Sequence, residues 1–203
     1  MTFLSQLHVN LSDRYGLKDC QNSYDMHRTL CRLFPTYTPG SFRWRQEPSV
    51  TGGLSNKILI LSQQEPDWGR LNKNWVSKID GTTPIDTKIQ SICTGFRSDF
   101  RIRVNPNRRS VKVGKRVAIL GPMEQACWLE QQAQKNGFQI DSLEATPNNK
   151  LQFKRVTGDE IVLNSVLFTG TLTVTDQDKF RKVLVNGIGP GKGFGLGLLS
   201  VRL

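Results

Sequence analysis

The chain has only two histidines, and its four cysteines are widely scattered. Cys20, Cys31, Cys93 and Cys127 form no C-x-x-C pair, so a zinc site of the finger or ribbon kind is not expected. No carboxylate, His or Cys cluster suggests a metal or another cofactor, and none is expected. No apolar run is long enough to span a bilayer. The start, M-T-F-L-S-Q-L-H-V-N, alternates like a strand and lacks a basic leader, so a signal peptide is not expected. With no membrane signal and reduced thiols as the default, the expected location is cytoplasmic. Acidic residues are also short, 17 against 28 Lys and Arg, for a formal net charge of +11. The excess is uneven: residues 1–90 carry 11 basic and 8 acidic side chains, residues 91–203 carry 17 and 9. Such an excess points to a polyanion, with nucleic acid the first candidate.

Two nucleotide motifs are absent. Gly187 to Gly197 reads G-I-G-P-G-K-G-F-G-L-G, yet Lys192 is followed by Gly193 rather than Ser or Thr, and no G-x-G-x-x-G frame fits. Both motifs also need a following helix, whereas Leu198 to Leu203 reads as a final strand. Six glycines carry an entropic cost that tight turns or close backbone approach must justify. Gly189, Gly191, Lys192, Gly193 and Gly195 are therefore candidates for contact with an RNA strand. The alternative is close packing within the protein.

What is present centres on Ser23–Pro35, S-Y-D-M-H-R-T-L-C-R-L-F-P. Ser23 suits an N-cap, Asp25 suits the first turn and Pro35 ends the run. Met26, Leu30 and Leu33 share one helical face, and Tyr24, His27, Arg28 and Cys31 the opposite one. Core packing explains the first face only. The second is either an idle surface cluster or a phenol, an imidazole and a guanidinium able to act on one phosphate.

Along the chain, strands are predicted at Phe3–Asn10, Phe42–Gln46 and Lys57–Ser62. In the second, Phe42 and Trp44 alternate with Arg43 and Arg45. A weak helix is predicted over Gly69–Asp80, a loop over Thr82–Asp86 and a strand over Lys88–Cys93. With the Ser23 helix, this is the β-α-β-β-α-β order of a ferredoxin-like unit. The order repeats through strands at Phe100–Val104 and Arg116–Leu120, a helix over Met123–Asn136 and a strand at Phe138–Leu143. A hairpin follows around Thr157-Gly158-Asp159, then a bend at Gly170, a helix capped by Asp176 and the last strand. The expected fold is α+β, two tandem ferredoxin-like (RRM-like) units, with domains at 1–93 and 94–203.

Arg97–Arg116 carries eight cations against Asp99. Strand alternation puts Arg101 and Arg103 on one face, suited to an RNA backbone. Lys150, Lys154 and Arg155 decorate the hairpin, where a basic ribbon can reach a groove. The aromatic strand motif by which ordinary RRMs stack bases is missing.

Five stretches then carry a resemblance: Y-D-M-H-R-T-L-C-R-L-F-P, I-L-S-Q-Q-E-P-D-W, F-R-I-R-V-N-P, W-L-E-Q-Q-A-Q-K-N-G-F and G-I-G-P-G-K-G-F-G-L-G-L-L-S-V. In this order they resemble the CasE family, the CRISPR RNA endoribonucleases of type I-E (Cascade) systems. The resemblance implies cleavage of the repeat hairpin of precursor CRISPR RNA without metal. It also implies retention of the mature crRNA among other Cascade subunits. The family's catalytic histidine and tyrosine fall on His27 and Tyr24, Arg28 falls where some members have a basic residue, and Lys150, Lys154 and Arg155 fall in the stem-binding hairpin region. The other class of function open to this sequence is a non-catalytic tandem RRM-like RNA-binding protein.

Overall fold

A computed structural model describes residues 1–48, 53–110, 114–146, 149–154, 158 and 160–202. Four strands build the first sheet: β1 (Phe3–Asn10), β2 (Phe42–Gln46), β3 (Ser55–Ser62) and β4 (Val76–Pro84). Their spatial order is β2-β3-β1-β4, with antiparallel pairing between β1 and β3, β1 and β4, and β2 and β3. This is the ferredoxin-like order, in which the first and third strands of the motif are central. Period-two alternation sets the register: Ser5, Leu7 and Val9 are buried and face the core, and their neighbours are only half-buried.

Two helices fill the first crossover. Helix α1 (Arg14–Gln21) opens on Asp13, whose carboxylate accepts from the backbone N–H of Tyr15 at 3.0 Å and of Gly16 at 2.9 Å. The sequence reading missed it because its eight residues have little apolar patterning. Helix α2 (Ser23–Cys31) is capped by Asn22 rather than by the expected Ser23. The Asn22 side chain accepts from Tyr24 N–H at 3.0 Å and Asp25 N–H at 3.4 Å, which places Ser23 inside the helix. Met26 and Leu30 on α2, and Leu33 just beyond it, are fully buried with Leu7, Ile58, Ile60 and Trp44. Each such side chain contributes about 1.5–3 kcal/mol of burial. Asp19 anchors α1 to this core, accepting from Thr29 Oγ1 at 2.7 Å and from Trp75 Nε1 at 2.9 Å.

The second crossover differs from expectation. The helix predicted over Gly69–Asp80 is only a 3-10 turn at Trp68–Arg70, and Val76 onward is already β4. Leu71 and Trp75 bury their side chains at fixed points, so irregular backbone serves packing as well as a helix would. Thr82–Pro84, expected as loop, completes β4, and much of Lys88–Cys93, expected as strand, is helix α3 (Asp86–Ser91). Ile89 and Ile92 are buried three residues apart, a helical spacing that the short apolar run concealed. Arg45, which alternates with the apolar Phe42 and Trp44, is itself buried and ion-paired with Glu47 at 2.6 Å.

The second sheet contains β5 (Arg97–Val104), β8 (Phe138–Ala145), β10 (Glu160–Val174) and β11 (Leu199–Val201) in the order β11-β5-β10-β8. That is the same ferredoxin-like order. Helix α4 (Pro122–Lys135) and helix α5 (Gln177–Asn186) are its crossovers. Pro122 begins α4, and the Asp176 carboxylate caps α5 through Lys179 N–H at 3.0 Å. Additions to the motif are the β6–β7 hairpin (Asn107–Arg109 with Arg116–Ala118) and β9 (Asn149–Lys154), which pairs with β10. Gly170 has φ 158°, and a register shift follows between Thr171 and Leu172. There the Ser142 carbonyl occupies the space of a Cβ.

The fold is thus α+β with two ferredoxin-like sheets. The chain separates into two compact units: residues 1–87, 152–161 and 192–195 in the first, residues 88–151, 162–191 and 196–203 in the second. A short piece of the glycine-rich segment therefore belongs with the histidine-bearing sheet. Among the described residues, no helix is long and apolar enough to cross a membrane.

Candidate active site

Helix α2 carries His27 beside β2 and the 3-10 turn Lys192–Phe194, both of which pack with it in the first unit. The Phe42 ring stacks on the imidazole, centroids 5.1 Å apart and planes inclined by 24°. Tyr37, from the turn after α2, meets the ring edge-on at 6.1 Å, with its hydroxyl 3.4 Å from His27 Nε2. Gly193 closes another side, since a Cβ built there would lie 3.7 Å from Nε2. Nδ1 is buried and meets no hydrogen-bonding partner among the described residues. The imidazole therefore presents Nε2 to the Tyr37 and Gly193 side.

Burial lowers the His27 pKa below its ordinary value, because the imidazolium would lose hydration. The shift favours the neutral ring, which is the form that can accept a proton. Burial raises the Cys31 thiol, whose hydrogen bond to Tyr37 acts in the opposite direction. Tyr37 is raised by its burial and by Cys31. Arg43 follows Phe42 on β2 and is lowered by burial. Its Nη1 donates to the Gly40 and Phe42 carbonyls, both at 2.8 Å. Lys192 is lowered by burial and by the Arg43 charge.

The expected Tyr24–His27–Arg28 cluster is only partly assembled. Tyr24 is half-buried on the same helix, and its ring neighbours Arg28, whose guanidinium carbon lies 6.0 Å from the ring centroid. Arg28 also lies 3.6 Å from Asp25, which Lys18 approaches to 3.2 Å. The rings that touch His27 are instead Tyr37 and Phe42. Sequence reasoning missed them because neither belongs to α2. A tyrosine between two prolines, in P-T-Y-T-P, was the available signal. The other histidine, His8, pairs with Asp80 at 2.9 Å on the first sheet.

The RNA-binding candidates are more dispersed. In β5, Phe100, Ile102 and Val104 are buried, so Arg101 and Arg103 share the other face, exposed and half-buried respectively. Lys150 is exposed on β9 and Lys154 ends that strand, whereas Arg155, Thr157 and Asp159 lie outside the described residues.

Within the glycine segment the two explanations divide by residue. Gly195 is buried with φ 78°, and its Cβ would lie 2.9 Å from a Trp44 ring carbon, so packing accounts for it. Gly191 has φ 86°, and its Cβ would meet a Leu196 methyl at 2.9 Å. Gly189, with φ 75°, lies against Trp128 in a cleft of about 580 Å³. Arg109, Arg116 and Gln132 also line that cleft, which is where part of the basic Arg108–Arg116 stretch falls. Gly193 lacks a positive φ, so its small size beside His27 is the feature that remains.

The fold and site define a class: paired ferredoxin-like units with a half-buried histidine on the first crossover. The chain belongs to the CRISPR-associated protein family, described as "CRISPR associated protein", whose pattern matches residues 2–202. It is 33% identical to the CRISPR-associated endoribonuclease Cse3 of Thermus thermophilus, covering 98% of this chain and 99% of that one. It is 25% identical to the Cascade subunit CasE of Escherichia coli, covering 88% and 90%. Among solved structures it resembles Thermus thermophilus Cse3 bound to an RNA representing a pre-cleavage complex. That match has 30% identity and a TM-score of 0.89, covering 100% of this chain and 99% of that one.

Proposed function

We propose that the protein is a metal-independent endoribonuclease that cuts the repeat hairpin of precursor CRISPR RNA and stays with the mature crRNA in a Cascade complex. The observation that carries this reading is the half-buried His27 imidazole, clamped by Phe42 and Tyr37 with Nε2 facing Gly193. The names of its relatives, a CRISPR-associated endoribonuclease and a Cascade subunit, support an RNA substrate and the assembly, and the repeat hairpin is what the family resemblance implies. A cytoplasmic location belongs to the same reading and fits four unpaired thiols.

His27 Nε2 takes the proton of the RNA 2′-OH, and O2′ attacks the adjacent phosphorus in line. The O2′–P bond forms as the P–O5′ bond breaks. The products are a 2′,3′-cyclic phosphate and a 5′-hydroxyl, whose proton comes from water. Tyr24 orients the sugar-phosphate from the preceding helical turn, and Arg28 holds the flanking strand. Arg101, Arg103, Lys150, Lys154 and Arg155 supply phosphate contacts that give affinity rather than chemistry. Gly189 offers backbone approach beside its cleft. In this division of labour, residues 1–93 hold the acid–base chemistry and residues 94–203 most of the RNA track.

The test is incubation with a labelled repeat hairpin in EDTA. One cut with a cyclic-phosphate end supports the reading. Tight binding without any cut makes the protein a tandem RRM-like RNA binder.

A further inference from the structure

The two nitrogens of the His27 ring have different surroundings. Nδ1 is buried and meets no hydrogen-bonding partner among the described residues. Nε2 lies 3.4 Å from the Tyr37 hydroxyl. A ring that has taken a proton carries two N–H groups, and a half-buried charge of this kind needs an acceptor. Among the described residues that acceptor is the Tyr37 oxygen, at Nε2. Tyr37 is fixed in this place by its own segment. It lies between Pro35 and Pro39, its backbone N–H donates to the Phe34 carbonyl at 3.1 Å, and Ser41 N–H donates to the Thr38 carbonyl at 3.0 Å. Its ring meets Phe42 edge-on at 5.9 Å, and Phe42 stacks on both His27 and Phe34. Tyr37 is still 36% exposed, so the pair is within reach of an RNA strand.

We propose that Tyr37 is a positioning residue for the reaction: its oxygen accepts from Nε2–H once His27 has taken the 2′-OH proton, and so steadies the charged ring. This rests on the endoribonuclease reading and adds a residue to it. As O2′ bonds to phosphorus it ceases to be an acceptor for the hydrogen it gave up, and Tyr37 is the acceptor that remains. No proton passes to Tyr37; the transferred hydrogen stays on Nε2 while O5′ leaves. Cys31 sets the direction of the bond. It stands one helical turn beyond His27, so both side chains share a face of α2 that Tyr37 reaches. The phenol hydrogen is taken up by the Cys31 sulfur, which leaves the oxygen lone pairs for Nε2–H. The contact favours the imidazolium and so opposes the burial that disfavours it. The charged groups on the packed elements are Arg43 on β2, which acts on the phenol by its charge, and Lys192 in the turn against α2. On α1, Asp19 is engaged by Thr29 and Trp75, and Lys18 by Asp25, which Arg28 also approaches.

The experiment has a titration arm and a kinetic arm. The chain has two histidines, so a His27→Ala spectrum identifies the His27 ring signal by NMR, and His8 serves as the internal reference. In RNA-free protein, Tyr37→Phe keeps the ring and its packing. It is expected to lower the His27 titration midpoint by about half a pH unit or more and to leave His8 in place. Cys31→Ala frees the phenol hydrogen to donate to Nε2 and is expected to lower the midpoint as well, whereas Cys31→Ser retains an acceptor and keeps it. In single-turnover cleavage at saturating hairpin, Tyr37→Phe is expected to move the acid limb of the pH–rate profile by the same amount. Its plateau is expected to fall by up to about tenfold, with hairpin affinity within about twofold of wild type. A His27 midpoint that is unchanged or raised in Tyr37→Phe overturns the proposal, as does a lower plateau without displacement of the acid limb. A Cys31→Ala protein that titrates like wild type overturns the direction given to the bond. If wild type does not cleave at all, the endoribonuclease reading fails, and the titration arm still judges the Tyr37–His27 bond by itself.

Discussion

The two ferredoxin-like sheets have the same strand order and differ in what their first crossover helix carries. Helix α2 turns Met26 and Leu30 inward and holds His27 against Phe42 and Tyr37. Helix α4 occupies the equivalent place and buries Gln125, Trp128, Leu129 and Ala133. Gln125 is satisfied by donating to the Ile119 carbonyl at 2.8 Å, and no ionisable side chain is among the buried ones. The second sheet instead has a cationic face on β5, where Arg101 and Arg103 lie opposite Ile102 and Val104. On the proposed function, one architecture serves proton transfer in one copy and polyanion contact in the other. Function follows the side chains added to the fold, and the fold alone does not identify it.

The largest break in this comparison should come from His27→Ala. Its rate at saturating RNA is expected to fall by about 10²–10⁴-fold, with hairpin affinity within a few-fold, as read by single-turnover kinetics and filter binding. The ring is half-buried against Phe42, so a modest loss of melting temperature should accompany it. Changing Arg101 and Arg103 together to Glu should do the reverse. Affinity should drop by about 10²-fold and the slope of log affinity against log salt should flatten, while the saturated rate persists. Equal loss of rate and affinity in both variants would mean that the two sheets do not divide the work.

Smaller effects sharpen the first unit. Gly195→Val should destabilise by about 3 kcal/mol in urea unfolding, since it strains a φ of 78° and presses on Trp44. Asp19→Ala should cost about 2–3 kcal/mol by leaving the Thr29 hydroxyl and Trp75 indole donors without their acceptor.

The pH effects are smaller again. Folding lowers the His27 pKa, so the unfolded chain binds more protons near pH 6. Stability should therefore rise with pH up to about 6.5, the ordinary histidine value, and this contribution should vanish above it. The cleavage rate should rise with pH through the depressed His27 pKa and then level off, with Tyr37 and, through it, Cys31 the titratable groups linked to the ring. Tyr37→Phe, which removes the hydroxyl 3.4 Å from Nε2 and keeps the ring, should shift this profile with a rate loss of about tenfold or less.

Much of this was legible in the sequence, for physical reasons specific to each element. Alternation in Phe3–Asn10 and the three-and-four spacing of Met26, Leu30 and Leu33 marked core faces because burial imposes those periods. Pro122 and Asp176 marked helix starts because their backbone roles are local. Failures occurred where tertiary packing overrode local pattern. Residues 71–75 bury Leu71 and Trp75 without a helix, and Ile89 lies in helix α3, with Ile92 buried just beyond its end, despite a strand-like run. His27 was legible from its place opposite the apolar stripe. Its surroundings were not, because Tyr37 and Phe42 come after the helix and Gly193 is remote in sequence. Sequence spacing put Tyr24 and Arg28 beside His27; packing gave it Tyr37 and Phe42.

The most direct test of the central claim is cleavage by the wild-type protein, in EDTA, of two repeat hairpins differing by one oxygen. One is all ribonucleotide, and the other has a 2′-deoxy residue immediately before the scissile phosphate. The account predicts one cut in the first, leaving a 2′,3′-cyclic phosphate and a 5′-hydroxyl, and none in the second despite equal binding. Cleavage of the deoxy hairpin at a comparable rate would contradict internal attack, and with it the role given to His27 Nε2.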